Sequence, residues 1–221
     1  MGAPGGPTTA AAVEALLAAH PDGILPLVQA GDPVLRQPAR PYDGELDGPL
    51  LRRLLAAMTA TMRAAPGVGL AAPQVGLALA VAVIEDPGDP DAERALARRR
   101  TPTPWRALLN PVYVPLEDAV DACYEGCLSV RGYQAVRARW RRVRLTGADE
   151  SGRRLDEEVT GWAARIVQHE TDHLRGELYL DAAEPRSLCA DVHLARWARD
   201  PWPDRAAAAL GFALPGGDHR H

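Results

Sequence analysis

The stretch His169-Glu170-Thr171-Asp172-His173 holds two imidazoles four residues apart, with a carboxylic acid directly after the first. On a helix, residues four apart stand one turn above each other on the same face, so both rings can grip one cation from one side. Glu170 stands about 100° further round such a helix. From there it can hydrogen-bond a water held by the cation without being a ligand itself. This His-Glu-x-x-His spacing is a hydrolytic signature. The competing reading of His173 is a histidine facing the negative end of the helix dipole.

A catalytic ion of this kind takes a third protein ligand and keeps one position open. Downstream, Glu177, Asp181 and Glu184 follow closely. Upstream, Glu125-Gly126-Cys127-Leu128-Ser129 offers a thiolate at Cys127, with Gly126 permitting a close backbone approach. A free buried cysteine is more often a small hydrophobe, and the residues alone leave both choices open. Cys123, Cys127 and Cys189 make an odd number of cysteines. No basic region, apolar stretch and cleavage site open the chain, which predicts a protein that is not exported. A disulfide framework is therefore not expected, and a reactive or metal-bound thiol is worth seeking.

The elements that must position these residues follow from periodicity and punctuation. Thr160–Arg175 reads as a helix, with Thr160 as its cap, Arg175 at its negative end and Gly176 in the left-handed position that stops it. Leu50, Leu51, Leu54, Leu55, Met58 and Met62 give Leu46–Ala65 the spacing of an amphipathic helix, ended by Gly67. Strands are predicted over Leu77–Ile84, Ala107–Val114, Ala119–Tyr124, Ala138–Ala148 and Arg153–Val159. The last two flank a turn at Asp149–Gly152, and Tyr179–Asp181 is expected to return to a sheet. Pro185–Arg199 reads as a helix or turn, and Ile24–Pro41 as extended chain. Strands precede one long helix rather than alternating with helices. The expected class is α+β, with antiparallel sheets packed around a central helix that carries the His-Glu-x-x-His motif.

At 221 residues one catalytic domain is expected, with its core over about 24–185. Residues 1–23, including a short helix over Ala10–Ala19, and residues 200–221 are expected to be peripheral, and 86–104 to form an exposed insertion loop. The net charge of −4 provides no overall positive field for nucleic acid or an anionic membrane, and no apolar run of bilayer-spanning length occurs. All 25 basic residues are arginine. Arg98–Arg100 and Arg141–Arg144 read as a solvated loop and an exposed strand face rather than an RNA-facing patch.

Three blocks together carry a further signal: Gly67-Val68-Gly69-Leu70-Ala71-Ala72-Pro73-Gln74, then Glu125-Gly126-Cys127-Leu128-Ser129, then Gln168-His169-Glu170-Thr171-Asp172-His173-Leu174. In kind and order they resemble the three signature motifs of peptide deformylases, over about Gly31–Asp181. The resemblance implies one divalent ion on Cys127, His169 and His173, Fe²⁺ in the cell, with Zn²⁺, Ni²⁺ or Co²⁺ as substitutes. A thiolate ligand offsets one of the ion's charges.

The implied reaction removes the N-formyl group from the initiator methionine of newly made polypeptides. Water acidified by the ion attacks the formyl carbon, while Glu170 takes its proton and passes it to the leaving nitrogen. The Gln74 side-chain amide and the Leu128 backbone N–H are the implied oxyanion donors. Without the first block, Gln74 reads as a loop-capping amide. Val68 and Gly69 are expected to pair with the peptide backbone as an added strand. Val68, Trp162 and Ile166 are expected to line the methionine pocket, plain core being the rival reading of the last two. Family position also pairs Asp172 with Arg139.

After Asp181 the chain continues Pro185-Arg186-Ser187-Leu188, not as the long charged C-terminal helix of many bacterial members. With Gly161-Trp162-Ala163-Ala164-Arg165, this resembles organellar and some bacterial deformylases. Nascent N-formyl-methionyl peptides, with at most transient ribosome proximity, are the expected partners, and the bacterial cytoplasm the expected place. A metallopeptidase using Glu177 or Glu184 as third ligand would leave the Gln74 and Cys127 blocks unexplained. A metal-containing binding module without activity sits badly with intact Glu170 and Gln74.

Overall fold

The computed structural model describes residues 8–197 and 200–214. Thr8 caps α1 (Thr9–Ala19) by accepting from the Ala11 N–H, and Asp47 caps α2 (Gly48–Ala64) by accepting from the Leu50 N–H at 2.8 Å. The three-and-four spacing puts Leu50, Leu54, Met58 and Met62 in the core, each contributing about 1.5–3 kcal/mol through burial. Val13 and Leu17 of α1 join the same core cluster. The expectation of a peripheral N-terminal segment is thus corrected for this helix, because its two apolar residues, four apart, find a partner face.

Beyond α2 come β1 (Gly69–Ala71), a 3-10 turn at Ala72–Val75, β2 (Val81–Asp86), α3 (Ala92–Ala97), β3 (Thr103–Pro115), β4 (Val120–Cys127) and β5 (Val130–Trp140). β6 (Arg142–Ala148), β7 (Arg154–Thr160) and α4 (Gly161–Leu174) follow, then β8 (Cys189–Ala190), α5 (Asp191–Leu194) and α6 (Asp204–Leu210). Two antiparallel sheets result, one in the order β1-β2-β3-β6-β7 and one in the order β4-β5-β8. α4 packs against strands of both. Along β2, Val81 and Val83 enter the core shared with α2, while Ala82 and Ile84 enter the one shared with α4. A strand buried on both faces must be apolar at every position, as this one is over Val81–Ile84.

The α+β expectation describes this architecture, and the hairpin about Asp149–Gly152 is present. Several boundaries differ. The predicted strand Ala138–Ala148 is the end of β5 and all of β6, separated at Arg141. Tyr179–Asp181 forms a 3-10 turn, Tyr179–Ala182, rather than a strand. There the Asp181 carboxylate accepts from the Leu178 N–H at 2.8 Å and closes the turn. Thr160 starts α4 without a side-chain cap, because it is still paired with Arg142 as the last residue of β7.

Residues 86–104 are more than a loop. Asp91 caps α3, and Arg94 holds Asp89 at 2.6 Å. Nor is the tail wholly peripheral, since Ala206 and Ala207 of α6 are buried. Residues 1–7, 198–199 and 215–221 lie outside the described residues. Among the described residues no helix is long and apolar enough to cross a membrane.

Candidate active site

The period of α4 brings Trp162, Ile166, His169 and His173 onto one stripe, three or four residues apart. The two imidazoles stand edge to face with centroids 4.9 Å apart. β4 delivers Cys127 to them after a register shift between Gly126 and Cys127, an irregularity that re-aims the side chain. Its Sγ lies 3.2 Å from His173 Nε2, and one ligand atom from each of Cys127, His169 and His173 lies within 4.8 Å of the others. Ligand atoms around one tetrahedral ion stand about 3.5 Å apart, so the set fits a single cation. A thiolate with two imidazoles suits iron, cobalt, nickel or zinc better than calcium or magnesium.

The downstream acids are engaged elsewhere. Asp181 pairs with Arg36 at 2.5 Å, Glu184 accepts from the Arg186 N–H, and Glu177 is exposed.

Glu125 lies on β4 two residues before Cys127, ahead of the register shift, and faces α4. Its Oε1 lies 2.7 Å from His169 Nδ1, which turns the ring's Nε2 toward the thiol. Burial alone would protonate this carboxyl, but Arg139 and His169 outweigh it and hold Glu125 well below the ordinary carboxylate range. Arg139 reaches Glu125 at 2.5 Å and Asp172 at 2.5 Å. The expected Asp172–Arg139 pair is thus present, inside a larger network. Arg165 adds a contact to Glu125 at 2.7 Å, Arg137 one to Asp172 at 3.2 Å, and the Tyr113 hydroxyl donates to Asp172 at 2.8 Å. The reading of the sequence missed Glu125, Arg137, Arg165 and Tyr113. The available signals were the two-residue step from Glu125 to Cys127 and the four-residue step from Arg165 to His169.

Glu170 is 3% exposed, and its Oε2 has no hydrogen-bond partner among the described residues. Burial pushes its pKa up to about 7. Gly69 faces it so closely that a Cβ there would stand 2.2 Å from Glu170 Oε1. The missing side chain at 69 makes the space this carboxyl occupies. Gln74 takes the loop-capping role. Its Oε1 caps the loop by accepting from the Ala71 N–H at 2.8 Å, and its Nε2 points toward Ser129 Oγ at 3.3 Å and Cys127 Sγ at 3.5 Å.

Gln74, Glu125, Cys127, Arg165, His169 and Glu170 open into one cleft of about 700 Å³. Leu128, Val68, Gly69, Trp162 and Ile166 line it, together with Arg98, Arg100, Arg131, Tyr133 and Asp191, which were not anticipated. β1 is the edge strand of its sheet, and among the described residues no strand pairs with its outer side. The solvated-loop reading of Arg98–Arg100 is corrected for two of the three, because Arg98 and Arg100 are half-buried in the cleft wall.

The family model for polypeptide deformylases matches residues 24–188. Peptide deformylase 3 of Streptomyces avermitilis is 60% identical over 92% of this chain and 90% of its own length. The human mitochondrial peptide deformylase is 40% identical over 72% of this chain and 68% of its own. Among solved structures, the Met-Ala-Ser-bound class I type b peptide deformylase of Acinetobacter baumannii superposes with a TM-score of 0.65 at 31% identity, over 72% of this chain and 98% of that one. The Synechococcus elongatus peptide deformylase in complex with actinonin gives 0.60 at 33% identity, over 88% and 90%.

Proposed function

Since the chain belongs to the peptide deformylase family and is a metallohydrolase of that type, we propose that Cys127, His169 and His173 hold its one divalent ion, with Glu170 moving the protons. Peptide deformylases remove the N-formyl group from N-formyl-methionyl peptides, releasing formate and a free amine. The observation that carries the residue assignment is the convergence of the three ligand atoms within 4.8 Å beside a buried, unpartnered Glu170 oxygen. The ion is Fe²⁺ in the cell, and Zn²⁺, Ni²⁺ or Co²⁺ can replace it.

When bound, such an ion acidifies water and polarises a carbonyl. Glu170 Oε2 accepts the proton of the attacking water and later delivers it to the amide nitrogen as the carbon–nitrogen bond breaks. A carboxyl with a pKa near 7 is matched to both halves of that exchange. Gln74 Nε2, with its amide oxygen already tied to Ala71, is a pre-oriented donor for the developing oxyanion, and the Leu128 N–H is the second. The outer edge at Val68 and Gly69 takes the peptide backbone as an added strand, a contact that reads no side chains. Val68, Trp162 and Ile166 receive the methionine side chain.

One catalytic domain acting in the bacterial cytoplasm, close to the ribosome only in passing, completes the reading. A net charge of −4 supports the view that nucleic acid and membrane are not its partners. The test is formate release from formyl-Met-Ala-Ser by anaerobic Fe²⁺ enzyme. Glu170→Ala is expected to keep its metal and lose activity by about 10²–10⁴-fold. Equal rates for the two proteins would discard the mechanism.

A further inference from the structure

Trp162 stands two turns before His169, about 10 Å along the helix axis. Its ring is surrounded by three guanidinium groups, with Arg98, Arg100 and Arg165 at 5.5, 5.1 and 5.5 Å from the centroid. Two of the three are neutralised. Arg100 forms two hydrogen bonds to Asp86, and Arg165 meets Glu125. Arg98 takes part in none of the described ion pairs. Among the described residues its hydrogen bonds go to carbonyl oxygens, those of Pro201 at 2.7 Å and Asp200 at 3.0 Å.

The position is built, not incidental. Gly161 carries no Cβ, which would stand 2.5 Å from the Arg99 oxygen, and that same oxygen accepts from the Trp162 N–H at 3.2 Å. The 98–100 run is thereby seated on the start of α4, and residues 200–201, beyond the 24–188 family match, fix Arg98 from the other side. Burial works against its charge and lowers its pKa. A half-buried cation with no ion pair among the described residues gains from an anion brought to it. Beyond Glu170, the cleft is lined by Arg131 and Asp191, which form no ion pair among the described residues and are of opposite sign.

An extended peptide advances about 3.3–3.6 Å per residue, so a chain running from the level of His169 to that of Trp162 covers about three residues, which brings its second or third residue to the Arg98 side of the cleft. We propose that Arg98 makes the cleft favour N-formyl-methionyl peptides with Asp or Glu at the second or third position, the carboxylate pairing with its guanidinium. This rests on the deformylase reading of the site and goes beyond it in naming a substrate preference.

The experiment compares isosteric pairs on the metal-loaded full chain: formyl-Met-Asp-Ala-Ser against formyl-Met-Asn-Ala-Ser, and formyl-Met-Ala-Glu-Ser against formyl-Met-Ala-Gln-Ser. In at least one pair kcat/KM is expected to favour the acid about threefold to tenfold, less so as salt is raised. The deformylated peptides should show the same order in calorimetric binding. Arg98→Met should bring the ratio to one, Arg98→Lys should keep part of it, and Arg131→Met should leave it standing.

Ratios of one in both wild-type pairs, or a preference that survives Arg98→Met or disappears in Arg131→Met, would overturn the proposal and leave Arg98 as a tether for the tail. Should Arg98→Met fail to fold, the wild-type ratios, their salt response and Arg98→Lys decide. Failure to turn over even the asparagine and glutamine peptides would instead strike at the deformylase reading.

Discussion

Gly69 and Glu170 share a space that admits only one side chain. A methyl at 69 would overlap the carboxylate at 2.2 Å from Oε1, and that carboxylate, 3% exposed, has little room to withdraw. Gly69→Ala is therefore expected to cut kcat by about 10²-fold or more without loss of metal, since none of the three proposed ligand residues is touched. Metal analysis beside steady-state kinetics reads both; a variant with normal kcat would show that Glu170 tolerates displacement. The motif reading assigned Gly69 to the substrate side. Its role toward Glu170 was not legible, because 101 positions in the chain separate residues that only the fold brings together.

At the scale of elements, α4 is tied to β4 and β5 by charge. Arg139, 3% exposed, bridges Glu125 and Asp172, and through Glu125 it supports the orientation of His169. Arg139→Met leaves two buried carboxylates short of one cation, and is expected to cost about 3 kcal/mol in denaturant unfolding, Arg137 and Arg165 limiting the loss. An unchanged midpoint would mean that the network contributes no net stability. The pair Asp172–Arg139 was readable by family position, but the sharing of Arg139 with Glu125 was not, since both acids reach one guanidinium from different elements.

The insertion bearing α3 makes its own claim on pH. Arg94 holds Asp89 at about 2, below its ordinary value of 3.8, with burial opposing. A depressed carboxylate contributes stability that is fully present above its unfolded pKa and is lost as pH falls through the folded one. Asp89→Asn should accordingly flatten the stability profile between about pH 4 and pH 2, with little effect on its shape at neutral pH. Parallel profiles for the two proteins across that window would refute the assignment.

For the whole molecule, the proposed ion would be a ligand of the folded state, since its proposed donors come from β4 and α4, 42 residues apart between Cys127 and His169. Stripping it with a chelator should lower Tm, abolish turnover and reverse on adding Fe²⁺ or Zn²⁺. A Tm indifferent to chelation would place the ion outside this cage. The residues alone determined what lies within one helical turn or one strand step: two imidazoles on one face, a carboxylic acid beside them, and a left-handed glycine to stop the helix. Those features depend on backbone period and local sterics, which are written in neighbouring residues. The family motifs already favoured Cys127 over Glu177, Asp181 and Glu184, but only the tertiary structure carried its sulfur to the rings and brought a tail carbonyl and an insertion arginine together at the wall of the cleft. Such meetings follow from how sheets and helix exclude water together, a property of the assembled core that no local segment carries.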